Sequence, residues 1–350
     1  MKLKILFLLL FPFLCLAQIP AYYASINFTQ TGNNLKNQLT TLITNTYTTF
    51  LPYTATGITD TWDALYQTDL NPSNTNNVLL IYGWNDTDTD LTNDYSRNKT
   101  FSCHTSSCSG LWVRDHVFPR SLGTPNLGFE FAGSDAHNLR SIDATLNSTR
   151  SNRLFEASTS SIMSFVTTSV NWYPGDEWRG DVARMIMYMY VRYPTQCAAT
   201  SVGAGASNYS PDMPNVFLDW NAADPVSQYE RNRNNILQNI QGNRNPFIDN
   251  PYLATVIWNG PTAQNPWGSL SSNENNIADL TLYPTMTKDI VHIVNPNNLN
   301  YNYTVYNTIG QLINTNTTND IIHISNNSKG LYFIKLQFEN QTKTFKIYLN

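Results

Sequence analysis

The chain has 350 residues, with 25 Asp and Glu against 21 Lys and Arg, and a formal net charge of −4. Only 13% of its residues are charged, and Asn and Thr supply much of the polarity instead. That balance excludes capture of a polyanion by bulk electrostatics, so such a ligand needs a local basic site. The length allows a large core and more than one domain.

The first elements follow in chain order. Lys2 and Lys4 precede an apolar run, Ile5 to Leu16, and Cys15-Leu16-Ala17 offers small residues where a signal peptidase reads. The run is shorter than the roughly 20 residues that span a bilayer. Residues 1–17 therefore read as a secretory signal cleaved after Ala17, and no second candidate span follows. Leu35, Leu39, Leu42 and Ile43 predict a helix over Asn33–Leu51. A shorter helix begins in Ile58–Leu65, capped by Thr59 or Asp60. Asn77–Gly83 reads as a buried strand, and Asp86–Asp94 as an acidic surface loop. Cys103 and Cys108 bracket Ser106-Ser107 and are expected to pair in an oxidising compartment, which would fix the approach to the next strand. Cys197 is left over, either buried or a partner of one of these two, and spacing does not decide. Cys103, His104 and Cys108 lack the fourth ligand of a zinc site nearby.

Side chains with chemistry to offer concentrate in Arg114–Asn152. Three of the five histidines lie between residues 104 and 137. Leu111-Trp112-Val113 leads as a strand into Arg114-Asp115-His116-Val117-Phe118-Pro119-Arg120-Ser121, where an Asp-His pair followed by Pro reads as a strand entering a turn. Adjacent strand residues face opposite sides, so Asp115 and His116 meet one ligand only if the backbone turns there. A Gly-rich stretch, Gly123–Gly133, follows, and residues 134–158 are predicted helical after Asp135. Asn147 and Arg150 are then one short step apart on one helix face. Asp115 and Asn147 are oxygen donors suited to one hard cation. His116 has an ordinary pKa of about 6.5, so its neutral ring can take a proton from water. The set suggests phosphodiester cleavage with one metal ion, although an Asp-His pair by itself is more often a surface pair or a structural hydrogen bond than a catalytic site.

Asp181–Tyr193 is the most apolar helix candidate, with its methionines read as packing. Another helix runs over Ser227–Ile240. Gln241–Asp249 is a stiff, turn-rich segment read as structural, the alternative being a wall beside the site with Arg244 reaching phosphate. Tyr252–Trp258 closes the first domain, and 260–276 has linker composition. Beyond it, Asp289–Ile293, Tyr301–Tyr306, Ile321–Ile324, Gly330–Leu336 and Lys343–Tyr348 alternate as short strands. His292 and His323 lie in these patterns without carboxylate company and read as structural or exposed.

Residues from about 30 to 258 resemble the bacterial secreted and periplasmic endonuclease I family. The resemblance rests on the block Arg114–Ser121, on Ser134-Asp135-Ala136-His137-Asn138-Leu139-Arg140, on Asn147 with Arg150-Ser151-Asn152, on Gly180-Asp181-Val182-Ala183-Arg184, and on Gln241–Asp249. It implies an α+β fold: a ββα-metal nuclease core with added helices over 18–259. It also implies Mg²⁺-dependent, largely sequence-independent cleavage of DNA and often RNA; Mn²⁺ and Ca²⁺ are the alternative metals for the site. Carried over by position, His116 matches the general base and Asn147 a metal ligand. Asp115 stands where the family commonly has a Glu metal ligand, one methylene longer. For the arginine that steadies the cleaved phosphate, Arg150 and Arg140 rank above Arg120. The products would carry 5′-phosphates.

The tail, 277–350, reads as a small all-β sandwich-like module. Leu282-Tyr283-Pro284-Thr285, Asp289, the Lys329-Gly330-Leu331-Tyr332 turn and a Lys-containing last strand resemble the type IX secretion sorting domain of Bacteroidetes. Thr285-Met286 replaces the usual Asn-Pro after Tyr283-Pro284. The resemblance implies contact with the outer-membrane secretion machinery and a secreted or cell-surface monomer. The competing reading from another class is a non-catalytic extracellular polymer- or surface-binding protein.

Overall fold

The computed structural model describes residues 19–268, 280–294, 300–338 and 341–350. The expected signal, 1–17, and residues 269–276 of the expected linker lie outside them. The chain divides into two compact units, Met1–Leu270 and Ser271–Asn350. Among the described residues no helix is long and apolar enough to cross a membrane.

In the first unit, α1 (Gly32–Asn45) buries Leu35, Leu39 and Ile43, the face that the spacing predicts. It stops short of Leu51, because the amides of Thr48 and Thr49 leave the helix and donate to the Gln241 carbonyl at 2.9 and 3.2 Å. Helix α2 (Thr61–Thr68) begins at Asp60, which accepts from the amides of Trp62 and Asp63 while Asp63 reaches back. That reciprocal cap satisfies donors that the first turn otherwise leaves unpaired. Strands β1 (Leu70–Asn71), β2 (Asn74–Leu79) and β3 (Ser96–Asn98) form an antiparallel sheet. The apolar run that predicts a strand to Gly83 leaves the sheet after Leu79. The Ile81 amide donates to Ser141 at 2.8 Å, and Tyr82 takes φ of 70°.

Strand β4 (Trp112–His116) pairs antiparallel with β5 (Leu139–Asp143), placing Asp115 opposite Arg140 and His116 opposite Leu139. Helix α3 (Ala144–Arg150) follows directly, capped by Asp143, whose carboxylate accepts from the amides of Thr145 and Leu146. This ββα unit corrects the helix expected after Asp135. Only a short turn, Ala136–Asn138, forms there, and residues 139–143 are fully buried strand. Pairing with β4 outweighs local preference, and the helix waits for the Asp143 cap.

Strands β6 (Phe165–Val166) and β7 (Trp172–Tyr173) make a small hairpin. Helix α4 (Arg179–Arg192) then runs through the core, with every residue from Gly180 to Val191 buried. It is followed by α5 (Asn215–Ala223), α6 (Gln228–Gln241), α7 (Pro246–Asp249) and α8 (Tyr252–Trp258). Ser227 and Glu230 cap α6 reciprocally, and Gly242 ends it at φ of 94°, a left-handed conformation that glycine adopts without strain. A Cβ there would meet the Thr46 carbonyl at 2.3 Å. Arginines clasp these elements from inside. Arg140 on β5 meets Asp181 of α4 at 3.0 Å and Asp69 at 3.7 Å. Arg184 forms a fork with Glu230 of α6 at 2.6 and 2.9 Å. Arg233 donates to Asp69 and to the carbonyls of Ala136 (2.6 Å) and Leu139 (2.5 Å).

The second unit is all β. Strands β8 (Thr281–Tyr283), β9 (Met286–Thr287), β10 (Ile290–Val294), β11 (Tyr301–Asn307), β12 (Leu312–Thr318), β13 (Ile321–His323), β14 (Gly330–Phe338) and β15 (Gln341–Leu349) form two sheets, ordered β13-β10-β8 and β12-β11-β14-β15-β9. Alternate residues from both sheets share one apolar core, including Val291, Ile293, Tyr303, Val305, Ile334 and Ile347. Strand β12 has no counterpart in the sequence reading, because its Asn- and Thr-rich run is mostly exposed at an edge. His292 and His323 do have carboxylate neighbours, Asp320 at 3.7 Å and Asp289 at 3.5 Å. Strand pairing brings together residues far apart in the chain.

Candidate functional site

The site grows from the end of β4. After His116 the backbone turns, and Asn138 holds the turn by accepting from the Phe118 amide at 2.7 Å and donating to the Phe118 carbonyl at 3.1 Å. That turn opens a polar cleft of about 400 Å³, whose lining includes Tyr53, Asp115, His116, Arg114, Arg120 and Asn147. The structure thus brings Asp115, His116 and Asn147 together, although neighbouring strand residues start on opposite faces. The disulfide Cys103–Cys108 lies just upstream, and the Cys103 amide donates to Trp112 at 2.8 Å. Cys197 is free and buried.

His116 has one defined tautomer. Its Nε2 lies 2.7 Å from the Gly133 carbonyl. A carbonyl only accepts, so Nε2 carries the proton and Nδ1 keeps its lone pair. Burial lowers the imidazole pKa to about 3, and the positive charges of Arg120, Arg114 and Arg150 act in the same direction. The ring is therefore neutral at ordinary pH, the form a proton acceptor needs. Tyr53 stacks on it at 5.4 Å between centroids. Gly133 is held closely: a Cβ would stand 2.2 Å from the Gly128 carbonyl.

Asp115 is 3% exposed, and its Oδ2 accepts from the Tyr82 hydroxyl at 3.2 Å. Burial raises its pKa, opposed by the charge of Arg150, the Tyr82 hydrogen bond and the charge of Arg140. Oδ1 accepts no hydrogen bond among the described residues, and the Asn147 side chain makes none. One free carboxylate oxygen and one free amide oxygen on the same cleft fit a hard divalent cation, which takes oxygen donors and retains water. Among the described residues no group of three His, Cys, Asp or Glu converges to offer a different donor set.

The arginines are placed apart from one another. Arg150 is fully buried behind β4, donating to the carbonyls of Val117 and Ser151 at 2.7 Å each. Arg140 is 1% exposed within its carboxylate clasp. Neither is among the residues lining the cleft, whereas Arg120 and Arg114 are. Arg244 is held by Asp249 at 2.6 Å and by Asn235 and Gln238, in keeping with a structural segment. His137 is buried, packs tilted against the Tyr188 ring at 4.5 Å and has its pKa lowered to about 4 by burial. Tyr53, Tyr82 and Gly133 are absent from the sequence-derived site. A tyrosine ending a buried apolar run and a Gly closing a Gly-rich stretch were the only local signals for two of them.

Comparison with known proteins places these observations. The Endonuclease I family model matches residues 31–252. The secretion system C-terminal sorting domain model matches residues 281–350. A protein named extracellular ribonuclease from Bacillus subtilis (strain 168) is 36% identical over 242 residues, covering 65% of this chain and 75% of its own. Another extracellular ribonuclease, from Bacillus amyloliquefaciens, is 35% identical over 243 residues, with the same coverage.

Proposed function

The chain belongs to the endonuclease I family, and from that premise we propose that it is a divalent-metal-dependent endonuclease hydrolysing both DNA and RNA with little regard to sequence. Membership makes it a nuclease and a hydrolase, and the family implies a divalent metal cofactor. The type IX secretion sorting domain makes it secreted or cell-surface, routed by the secretion machinery that such domains address. RNA enters the proposal because both relatives are named ribonucleases. Mg²⁺ enters it because the donor set is hard and sparse.

In this reading His116 removes a proton from the attacking water through Nδ1, while the Gly133 carbonyl holds the ring and stabilises the charge it gains. Asp115 and Asn147 would hold the cation, with the Tyr82 hydroxyl orienting the Asp115 carboxylate and the positive charge of Arg150 opposing the upward push of burial on its pKa. The cation, when bound, neutralises charge developing on the scissile phosphate. Arg120, on the cleft, contacts phosphate; Arg114, also on the cleft, is held by the Tyr53 carbonyl and the Thr61 and Thr54 hydroxyls and adds positive charge, and Arg140 and Arg150 do not line the cleft. As the water oxygen bonds to phosphorus the P–O3′ bond breaks and the leaving 3′ oxygen takes a proton from water, so the products carry 5′-phosphates and 3′-hydroxyls.

The observation that carries the reading is a neutral imidazole with a free Nδ1 sharing one cleft with a free carboxylate oxygen and a free amide. The test incubates supercoiled DNA and RNA with the protein in Mg²⁺ or EDTA. His116→Ala should lose about 10²–10⁴-fold in turnover while keeping the circular dichroism of the folded wild type, and EDTA should stop the wild type. Normal cleavage by H116A would sink the assignment.

A further inference from the structure

The loop that orients His116 also does something costly. Residues 127–133 end in the Gly133 carbonyl that holds the imidazole. On the way the loop projects Phe129, 52% exposed, and Phe131, 62% exposed. Phe131 takes φ of 49°, a left-handed conformation that is strained for a bulky side chain. The strain is not offset by burying the ring.

Two further aromatic rings continue the pattern. Phe50, 53% exposed, packs edge-on against Phe131 at 5.5 Å. Phe129 sits 4.9 Å from Tyr53, which lines the cleft and stacks on His116. Cations interleave: the guanidinium of Arg120 lies 3.8 Å over the Phe129 ring, and that of Arg114 lies 3.6 Å over Tyr53. The result is a ridge of exposed rings, Phe50, Phe131 and Phe129, joined to the cleft by Tyr53, whose own ring packs against His116 and Arg114.

We propose that this ridge is a base-stacking subsite for unpaired nucleobases, so that the protein favours single-stranded or locally opened nucleic acid. The proposal rests on the nucleic-acid cleft of the preceding section and deepens it. Three points single out this occupant. The ridge is continuous with the cleft through Tyr53 and Arg120. The exposed Phe129 and Phe131 rings beside the Arg120 guanidinium match a strand that alternates bases and phosphates. A paired base keeps both faces within its own stack, whereas an unpaired base can offer a face to a ring. The net charge of −4 sharpens the point, because stacking supplies affinity that bulk electrostatics does not.

The test measures binding without cleavage. Fluorescence anisotropy in EDTA reads the affinity of the full-length protein for a labelled single strand, for the same strand with abasic positions, and for a duplex. Phe129→Ala/Phe131→Ala should weaken binding of the intact single strand by roughly 5- to 100-fold. On the abasic strand and the duplex it should match the wild type within about twofold, since the stacking partner is missing there. Ribo- and deoxyribo-strands should lose to a similar degree, because the ridge meets bases and not sugars. Phe129→Leu/Phe131→Leu keeps bulk without the aromatic face and should show the same loss on the intact strand, and wild-type binding of the abasic strand and the duplex by both variants excludes an effect of misfolding. Equal affinity of wild type and variants for the intact strand, or equal losses on intact and abasic strands, would overturn the ridge. Failure of the nuclease reading appears separately, as a wild type that still discriminates bases but cleaves nothing when Mg²⁺ is added.

Discussion

In the C-terminal unit the core is made of uncharged side chains, such as Val291, Val305, Ile334 and Ile347. In the first unit Arg140, Arg150 and Arg184 are as buried as any leucine. Burying an ion pair rarely adds stability over apolar packing, because desolvation offsets the attraction. Such a pair does impose a demanding geometry. In the first unit that geometry falls on β5, α4 and α6, the frame on which β4 presents Asp115 and His116. Among its described residues the C-terminal unit holds no such constellation, and its two sheets enclose one apolar core.

The contrast can be tested by single changes. The largest effect on folding is expected from Arg140→Ala, which removes the 3.0 Å partner of buried Asp181, leaving it Arg184 at 3.7 Å, and leaves Asp69 with Arg233 alone of its two arginines. It should cost about 3–5 kcal/mol in urea unfolding of the first unit. An unchanged unfolding midpoint with lost cleavage would instead put Arg140 at the chemistry and break the comparison. Ile334→Ala removes a fully buried side chain from the second unit. It should cost about 2–5 kcal/mol, seen by hydrogen exchange in 280–350, while cleavage is retained. Replacing Cys103 and Cys108 together by Ala opens a short loop and should cost about 2 kcal/mol, confined to the first unit. The smallest effect is on pH dependence. The folded pKa of His137 is lowered to about 4, so below about pH 6.5 the unfolded chain takes up a proton that the folded chain refuses. Stability from this source is complete above that pH and falls as pH drops toward 4. His137→Gln should make the fall in thermal midpoint over that window shallower, by at most about one proton equivalent. An unchanged slope would show that the buried ring titrates normally.

Much of the fold could be read locally. The spacing of Leu35, Leu39 and Ile43, the apolar run of α4 and the alternation of β10, β11, β14 and β15 all recur in the structure. So does the pairing of Cys103 with Cys108. The reading failed where a partner distant in sequence decided. Residues 139–143 are strand because β4 lies beside them, and α1 ends early because Thr48 and Thr49 meet Gln241.

The same division holds within the site. From sequence alone the chain determined which functional groups were on offer: a carboxylate at Asp115, an imidazole at His116, an amide at Asn147 and several arginines near them. Their residue types carry that chemistry wherever they sit. Tertiary structure alone decided which of them share a cleft, which nitrogen of His116 keeps its lone pair, and which arginines face outward. Arg140 and Arg150 stand in the same stretch as the cleft residues, yet one is taken by Asp181 and the other by the carbonyls of Val117 and Ser151. A guanidinium binds whichever acceptor the fold brings to it, and no spacing along the chain states where those acceptors will be.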